Sequence, residues 1–201
     1  MSGDPHHVPP QTGKFMSVEE YLLLEDLFPT RTYEYHHGRV RLLSSGSHAT
    51  ISENIFTGLC VQFRTGPCTV YTSNMRVQVA EGTYYLPDVT VTCNVYDRRR
   101  GVRLVLSPRL VIEVLSPLTE STDRTEKLTM YQACPTIAEI ALVSQTCPFV
   151  EIWRYDEDLP GTWRYASYES GEEVEFSSVD VRLSMEEIYH GTTFDEPFVD
   201  A

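Results

Sequence analysis

Apolar and polar positions along this chain follow the periods of a mixed α/β protein. The run from Leu110 to Leu115 is apolar at every position except Glu113, which is typical of a strand buried on both faces. In residues 86–92, Val89 and Val91 share one face and Asp88 lies on the other. The pattern therefore predicts two neighbouring strands, each carrying one carboxylate in largely apolar surroundings.

Further helices and strands are predicted on both sides of this pair. The N-terminal half gives a helix capped by Ser17, a hairpin over 32–43 turning at His37-Gly38, a helix over 48–64, and strands over 70–79 and 84–92 joined through Glu81-Gly82. The C-terminal half gives a helix capped by Asp123 with Glu126 as its box partner and running to about Cys134, strands over 137–143, 150–155, 163–168 and 174–176, and a final helix capped by Ser184.

These elements predict one α/β domain, a central mixed sheet flanked by helices with added β-hairpins, over residues 15–195. Residues 1–14 carry Pro and Gly without any period and are expected to form a disordered tail. Trp153 and Trp163 occupy similar places on the two arms of one hairpin, so we expect them to pack against each other across the strands, with base stacking as an alternative.

The charge balance is strongly acidic. The 201 residues include 29 acidic and 16 basic side chains, a net charge of -13, so the chain has no general basic surface of the kind that dominates nonspecific DNA binding. A local cluster formed by Arg98 to Arg100, Arg103 and Arg109 could still contact phosphates. The alternative is that this arginine-rich segment is a solvated loop.

The five cysteines suggest neither a zinc site nor a disulfide framework, because they are scattered, odd in number and contain no CxxC pair. A reducing cytoplasm is the expected location. No apolar run reaches membrane-spanning length, and the first residues lack a signal-peptide pattern.

Asp88, Glu113 and Lys127 are the residues most capable of chemistry. A buried carboxylate is costly unless a cation or a polar cleft accompanies it, and two carboxylates on neighbouring strands can bind one Mg²⁺, with Mn²⁺ as an alternative. Lys127 flanks the apolar face formed by Met130, Tyr131 and Cys134. It could therefore direct its ammonium group toward the two carboxylates.

The order of these residues resembles a known family. The "PD" at 87–88, "VIEVLSP" at 111–117 and "DRTEKLTMY" at 123–131 are similar to the Uma2-type restriction endonucleases, a branch of the PD-(D/E)XK nuclease superfamily. Residues 33–40 resemble the "YELIDGEV" of that family, although His36-His37 stand where Ile-Asp is usual. The resemblance extends over roughly residues 16–194.

The resemblance implies a restriction-endonuclease-like fold and a metal-dependent endonuclease acting on DNA, with a homodimer as one arrangement. Asp88, Glu113 and the backbone carbonyl of Val114 would bind the metal. Leu115 occupies the position of the superfamily's lysine, and in the Uma2 branch Lys127 on the following helix takes its place. Glu34 and His48 are implied as further site residues.

Alternatives remain for each assignment. Glu34 could be an exposed strand carboxylate paired with Arg39 or Arg41, and His48 a structural hydrogen bonder. Lys127 could only form an i, i+4 pair with Asp123. For the whole protein, the alternatives are a non-catalytic nucleic-acid-binding or regulatory protein that retains the fold, and a metal-dependent hydrolase of a smaller phosphorylated substrate.

Overall fold

The computed structural model describes residues 15–23, 33–42, 48–116, 119–192 and 194. The predicted tail at 1–14 and the second half of the predicted first helix lie outside the described residues. None of the described helices is long and apolar enough to cross a bilayer.

Short helices and thirteen strands alternate along the described residues. The helices are α1 (Val18–Leu22), α2 (His48–Gln62), α3 (Glu120–Thr122), a π-helix (Asp123–Lys127), α4 (Leu128–Ala133), a 3₁₀ turn (Ser177–Val179) and α5 (Met185–Ile188). The strands are β1 (Tyr33–His36), β2 (Arg39–Leu42), β3 (Thr69–Thr72), β4 (Arg76–Ala80), β5 (Thr83–Tyr85), β6 (Val89–Thr92), β7 (Leu104–Val105), β8 (Leu110–Leu115), β9 (Glu139–Ser144), β10 (Phe149–Tyr155), β11 (Trp163–Glu169), β12 (Glu173–Phe176) and β13 (Val181–Ser184).

The predicted central mixed sheet is confirmed. A six-stranded sheet has the order β11-β10-β9-β8-β6-β3, in which β8 is parallel to β9 and antiparallel to β6. A five-stranded sheet, β2-β1-β5-β4-β7, and the β12-β13 hairpin are added to it. All six residues of β8 are buried, as the apolar run predicted for a strand covered on both faces.

Strand β8 separates two apolar cores. Leu110, Ile112 and Val114 pack with the buried face of α2. Val111 and Leu115 pack on the other face, with residues of the five-stranded sheet and α4. Because successive strand residues alternate in direction, Glu113 belongs to the second face, between the two sheets. This alternation decides where the functional site can form.

The chain changes sheets at the predicted strand over 84–92. Residues 83–85 form β5 in the five-stranded sheet, and residues 89–92 form β6 in the six-stranded sheet. Pro87 lies in the gap, where its missing backbone N–H removes a ladder hydrogen bond. Asp88 therefore lies just before β6, and the single strand predicted over 84–92 is divided between the two sheets.

The two tryptophans of the β10–β11 hairpin do not pair with each other. Trp153 lies opposite Tyr165, with ring centroids 5.0 Å apart, and Trp163 lies opposite Tyr155, with centroids 5.6 Å apart. The prediction of cross-strand aromatic packing identified the right strands but the wrong partners. Register, which depends on the loop, decides which side chains face each other.

A disulfide joins Cys68 and Cys93, which corrects the expectation of free cysteines. The antiparallel pairing of β3 with β6 places Thr69 opposite Thr92, so the residues just outside that pair also face each other. Their Cα atoms are 4.0 Å apart. Cysteine spacing could not show this strand pairing. The cytoplasmic location stays a prediction.

Reduction of this bond should lower the free energy of unfolding by about 3.5 kcal/mol, because the bonded cysteines are 25 residues apart and closing that loop restricts the unfolded chain. Urea unfolding with and without a reductant measures the difference. Cys68→Ser should reproduce the loss, while Cys147→Ser, which changes an exposed free cysteine, should not. Equal stability of the oxidised and reduced protein would contradict the assignment.

Candidate active site

The ammonium group of Lys127 lies at the centre of the candidate site. Its Nζ is 2.7 Å from Oε1 of Glu34, 3.1 Å from Oε1 of Glu113 and 3.2 Å from Oδ1 of Asp123. The side chains of all four residues are at most 4% exposed. The predicted pair of Lys127 with Asp123 therefore exists, but as one part of a larger buried cluster.

Glu34 reaches this cluster from the five-stranded sheet. It lies on β1 opposite Arg41, yet its side chain turns inward and its Oε1 also accepts a hydrogen bond from the backbone N–H of Leu86, at 3.2 Å. The side chain is buried. The alternative in which Glu34 is an exposed strand carboxylate was therefore wrong.

The helix that carries Lys127 begins earlier than predicted. Asp123 has helical angles, φ -64° and ψ -40°, and lies inside the helical segment rather than at its N-cap. The segment starts at α3, where the backbone N–H of Glu120 donates to the carbonyl of Ser116. The predicted capping role of Asp123 was wrong because that turn continues a helix already begun upstream.

A π-helical turn places Asp123 and Lys127 in the interior. The backbone N–H of Leu128 donates to the carbonyl of Asp123, five residues earlier. Single π-turns inside helices occur frequently at functional sites. The buried Asp123 was missed as a site residue because its sequence context, followed three positions later by Glu126, also matches an N-cap.

Tyr131 holds Glu113 from the same helix. Its hydroxyl donates to Oε1 of Glu113, the oxygen that also contacts Lys127. The Tyr131 ring meets the Tyr85 ring edge-on at 5.5 Å, and Nζ of Lys127 lies 5.7 Å from the centre of the Tyr85 ring. Sequence analysis identified Tyr131 as a buried apolar-face residue, and its i+4 spacing from Lys127 was the available signal for a shared role.

Asp88 lies next to this cluster and has different partners. Its Oδ2 accepts the backbone N–H of Val114 at 2.7 Å and is 3.0 Å from Nε2 of His48. The structure thus brings together Asp88, His48 and Val114. Glu113 is also near Asp88 along the sheet, because Val89 pairs with Ile112 and the two strands are antiparallel.

Burial raises the pKa of Glu113 well above its usual range, with Lys127 acting in the opposite direction and Asp123, Asp88 and Glu34 adding to the rise. Burial also raises the pKa of Glu34. For Lys127, burial favours a lower pKa, but the carboxylates of Glu113, Glu34 and Asp123 outweigh it and hold the pKa well above normal. The ammonium group therefore stays charged.

The cluster carries more carboxylates than cationic groups. Glu34, Asp88, Glu113 and Asp123 are buried beside a single lysine. Burial tends to lower the pKa of His48, but its hydrogen bond to Asp88 and the nearby negative charge raise it overall. This imbalance favours either protonation of a carboxyl group or the binding of a cation.

The residues fit a cation that uses few protein ligands. Among the described residues, no three His, Cys, Asp or Glu side chains lie close enough together to hold a metal ion. However, the contacts that described residues make with Asp88 and Glu113 fall on one oxygen of each carboxylate, Oδ2 and Oε1. The second oxygens and the Val114 carbonyl are donors of the kind that Mg²⁺ would accept together with water.

The fold is of the restriction-endonuclease-like class. The family model described as "Putative restriction endonuclease", Uma2, matches residues 18–186, and the chain belongs to the Uma2 family. A protein from Synechocystis, "Uncharacterized protein slr1290", is 31% identical over 94% of this chain and 98% of its own length. Another from that organism, "Uncharacterized protein sll1609", is 28% identical over 70% and 81%.

A solved structure shares the fold. The crystal structure of a "putative nuclease belonging to DUF820" from Anabaena variabilis is similar with a TM-score of 0.67. The match covers 86% of this chain and 97% of that one, at 17% sequence identity. This likeness confirms the predicted fold class.

Replacement of Glu113 by glutamine should stabilise the metal-free protein by about 0.5 to 2 kcal/mol at neutral pH, as is common when a strained functional group is removed. Since the folded-state pKa of Glu113 is raised, its stabilising contribution is present below the unfolded pKa and is lost as pH rises through the folded pKa. The gain should therefore grow from pH 4 to pH 8.

Urea unfolding in a chelator across this pH range measures the effect. Glu186→Gln, at an exposed position of α5, is the control and should leave stability unchanged. Destabilisation by Glu113→Gln at every pH would show that the Glu113 carboxylate is fully compensated by Lys127.

Proposed function

We propose that this protein is a metal-dependent endonuclease that hydrolyses phosphodiester bonds in DNA. The observation that carries the proposal is the buried excess of carboxylates around one lysine, with Asp88 directly before β6 and Glu113 on the adjacent strand β8. Membership of the Uma2 family supports the same reaction class. Pairing of two copies, one for each DNA strand, is the arrangement that we expect.

In this proposal, Asp88, Glu113 and the Val114 carbonyl hold Mg²⁺ or Mn²⁺. An ion held by these residues would supply Lewis acidity, making water more acidic and offsetting negative charge on the phosphate. Tyr131 and Lys127 both hold Oε1 of Glu113, which leaves the carboxylate fixed in one orientation. His48 holds Asp88 in the same way from α2.

Lys127 acts as a charged donor in this proposal rather than as a base. Three carboxylates keep its ammonium protonated, so it is unable to accept a proton at neutral pH. A fixed ammonium beside the metal ligands can orient the attacking water and stabilise the negative charge that develops on the phosphate. Glu34 on β1 and Asp123 on the π-turn position it.

The charge of -13 favours a second candidate, a metal-dependent hydrolase of a smaller phosphorylated substrate. A DNA substrate would make many phosphate contacts, and its affinity would fall steeply with salt, whereas a small substrate would show a shallow dependence. A salt titration of KM therefore distinguishes the two candidates. A non-catalytic binding protein would show neither turnover nor a need for the buried carboxylates.

Wild-type protein incubated with supercoiled plasmid and Mg²⁺ or Mn²⁺ at low salt should nick or linearise the DNA. Asp88→Ala and Glu113→Ala should each lose this activity, because each removes one of two carboxylate ligands. Gel analysis of plasmid forms measures the result, with Glu186→Ala as the active control. Cleavage that persists in both variants would remove these residues from the mechanism.

Lys127→Ala should abolish measurable turnover while leaving metal affinity nearly intact. The expected loss is at least about a hundredfold, the size seen when a single electrostatic donor is removed from an active site. Turnover on plasmid and Mn²⁺ binding by calorimetry are measured on the same preparation. Lys127→Arg is the companion variant, since it retains the charge. Unaltered turnover in Lys127→Ala would show that the lysine serves only to stabilise the fold.

A further inference from the structure

Acidic residues are absent from one part of this acidic protein. Residues 54–80 contain no Asp or Glu, and residues 89–112 contain only Asp97. The same two stretches carry exposed arginines at positions 64, 98, 99, 100, 103 and 109, of which Arg109 donates to the carbonyl of Ser178. We call Arg64, Arg98, Arg99 and Arg100, with Tyr96, the basic loop surface.

Three connections hold the two stretches side by side. Strand β3 pairs with β6, and the disulfide joins Cys68 to Cys93 directly beyond that pairing. Arg98 donates from Nε to Oγ1 of Thr69 at 3.1 Å and from Nη1 to the carbonyl of Pro67. The loop that carries Arg98, Arg99 and Arg100 therefore lies against the segment that follows Arg64.

Asp97 directs its charge into the protein rather than toward the arginines. The residue is only 3% exposed. Its Oδ2 accepts from Oγ1 of Thr92 at 3.0 Å and from the backbone N–H of Ser107 at 2.8 Å, and its Oδ1 accepts from the N–H of Leu106 at 3.1 Å. The one carboxylate of this segment thus fastens the loop at both ends and leaves its outer face positive.

An aromatic side chain accompanies the arginines. The Tyr96 ring is 64% exposed, and the Arg99 guanidinium lies 4.5 Å from its centroid. A guanidinium stacked on an aromatic ring keeps its N–H edge available for bidentate contact with phosphate. Exposed aromatic rings beside arginine are also the side chains on which nucleic-acid bases stack.

We propose that the basic loop surface binds the phosphate backbone of the DNA substrate, at a position distant from the cleavage site. This inference rests on the proposed function for the identity of the ligand. Its physical basis is charge complementarity, since a rigid positive surface on a protein of charge -13 attracts a polyanion at that place and repels it elsewhere.

The position of the surface sets the length of DNA that can use it. Asp88 precedes β6 and Asn94 follows it, so the two lie about 20 Å apart along an extended chain at about 3.3 Å per residue. Duplex DNA rises about 3.4 Å per base pair, so about six base pairs separate the scissile phosphate from the basic loop surface. Shorter substrates cannot contact both.

The test compares two double variants in an Asp88→Ala background, which prevents cleavage. Arg99→Ala/Arg100→Ala removes two arginines of the surface, and Arg164→Ala/Arg182→Ala removes two exposed arginines that pair with Asp156 and Glu175 elsewhere. Fluorescence anisotropy measures binding of a labelled 14-base-pair duplex over a range of salt concentrations. We expect the first pair to weaken binding at least tenfold and to reduce the salt slope by about two, and the second pair to change neither.

Equal losses in the two double variants, or no DNA binding by the Asp88→Ala protein at low salt, would overturn the inference. A separate assay isolates the proposed function. Without the Asp88→Ala substitution, Arg99→Ala/Arg100→Ala should hydrolyse bis(p-nitrophenyl) phosphate at the wild-type rate. This small diester cannot reach from the cleavage site to the basic loop surface. Absence of all hydrolysis by the wild-type protein would refute the proposed nuclease activity. The anisotropy measurement would still show whether the basic loop surface binds DNA.

Discussion

The buried ammonium group of Lys127 is the contact on which the arrangement of the site depends. It joins β1 of one sheet, β8 of the other and the π-turn between them, through Glu34, Glu113 and Asp123. Removal of a buried cation leaves its partners as uncompensated charges, which costs far more than the net stabilisation of the pair. The two sheets and the helix therefore have to meet in one geometry.

The same cluster is unfavourable in its charge balance, and the proposed function depends on that imbalance. Lys127 compensates part of the negative charge, while Asp88 is held by Val114 and His48. Residues that support a reaction are often arranged against stability, so that a ligand or ion completes them. Buried excess charge next to two oriented carboxylates is an arrangement of this kind.

Particular residues show which features could be predicted. Glu113 was identifiable because it interrupts an apolar run, and the turn at His37-Gly38 because both residues accept positive φ, observed at 45° and 83°. Ser184 was identifiable as a helix cap with Glu187. These are local signals, in which the relevant neighbours lie within a few residues. Asp123 had an equally good local signal, and there the continued helix overrode it.

The sequence by itself determined the buried strand β8, the carboxylates at 88 and 113, and a lysine on the helix that follows, because spacing and apolar periodicity encode them. The tertiary structure alone decided that Glu34 turns inward to Lys127, that Tyr131 donates to Glu113, and that Cys68 bonds Cys93. Each of these contacts joins segments whose relative placement depends on strand order, register and sheet packing. Local periodicity carries no information on those quantities, since one pattern fits several registers.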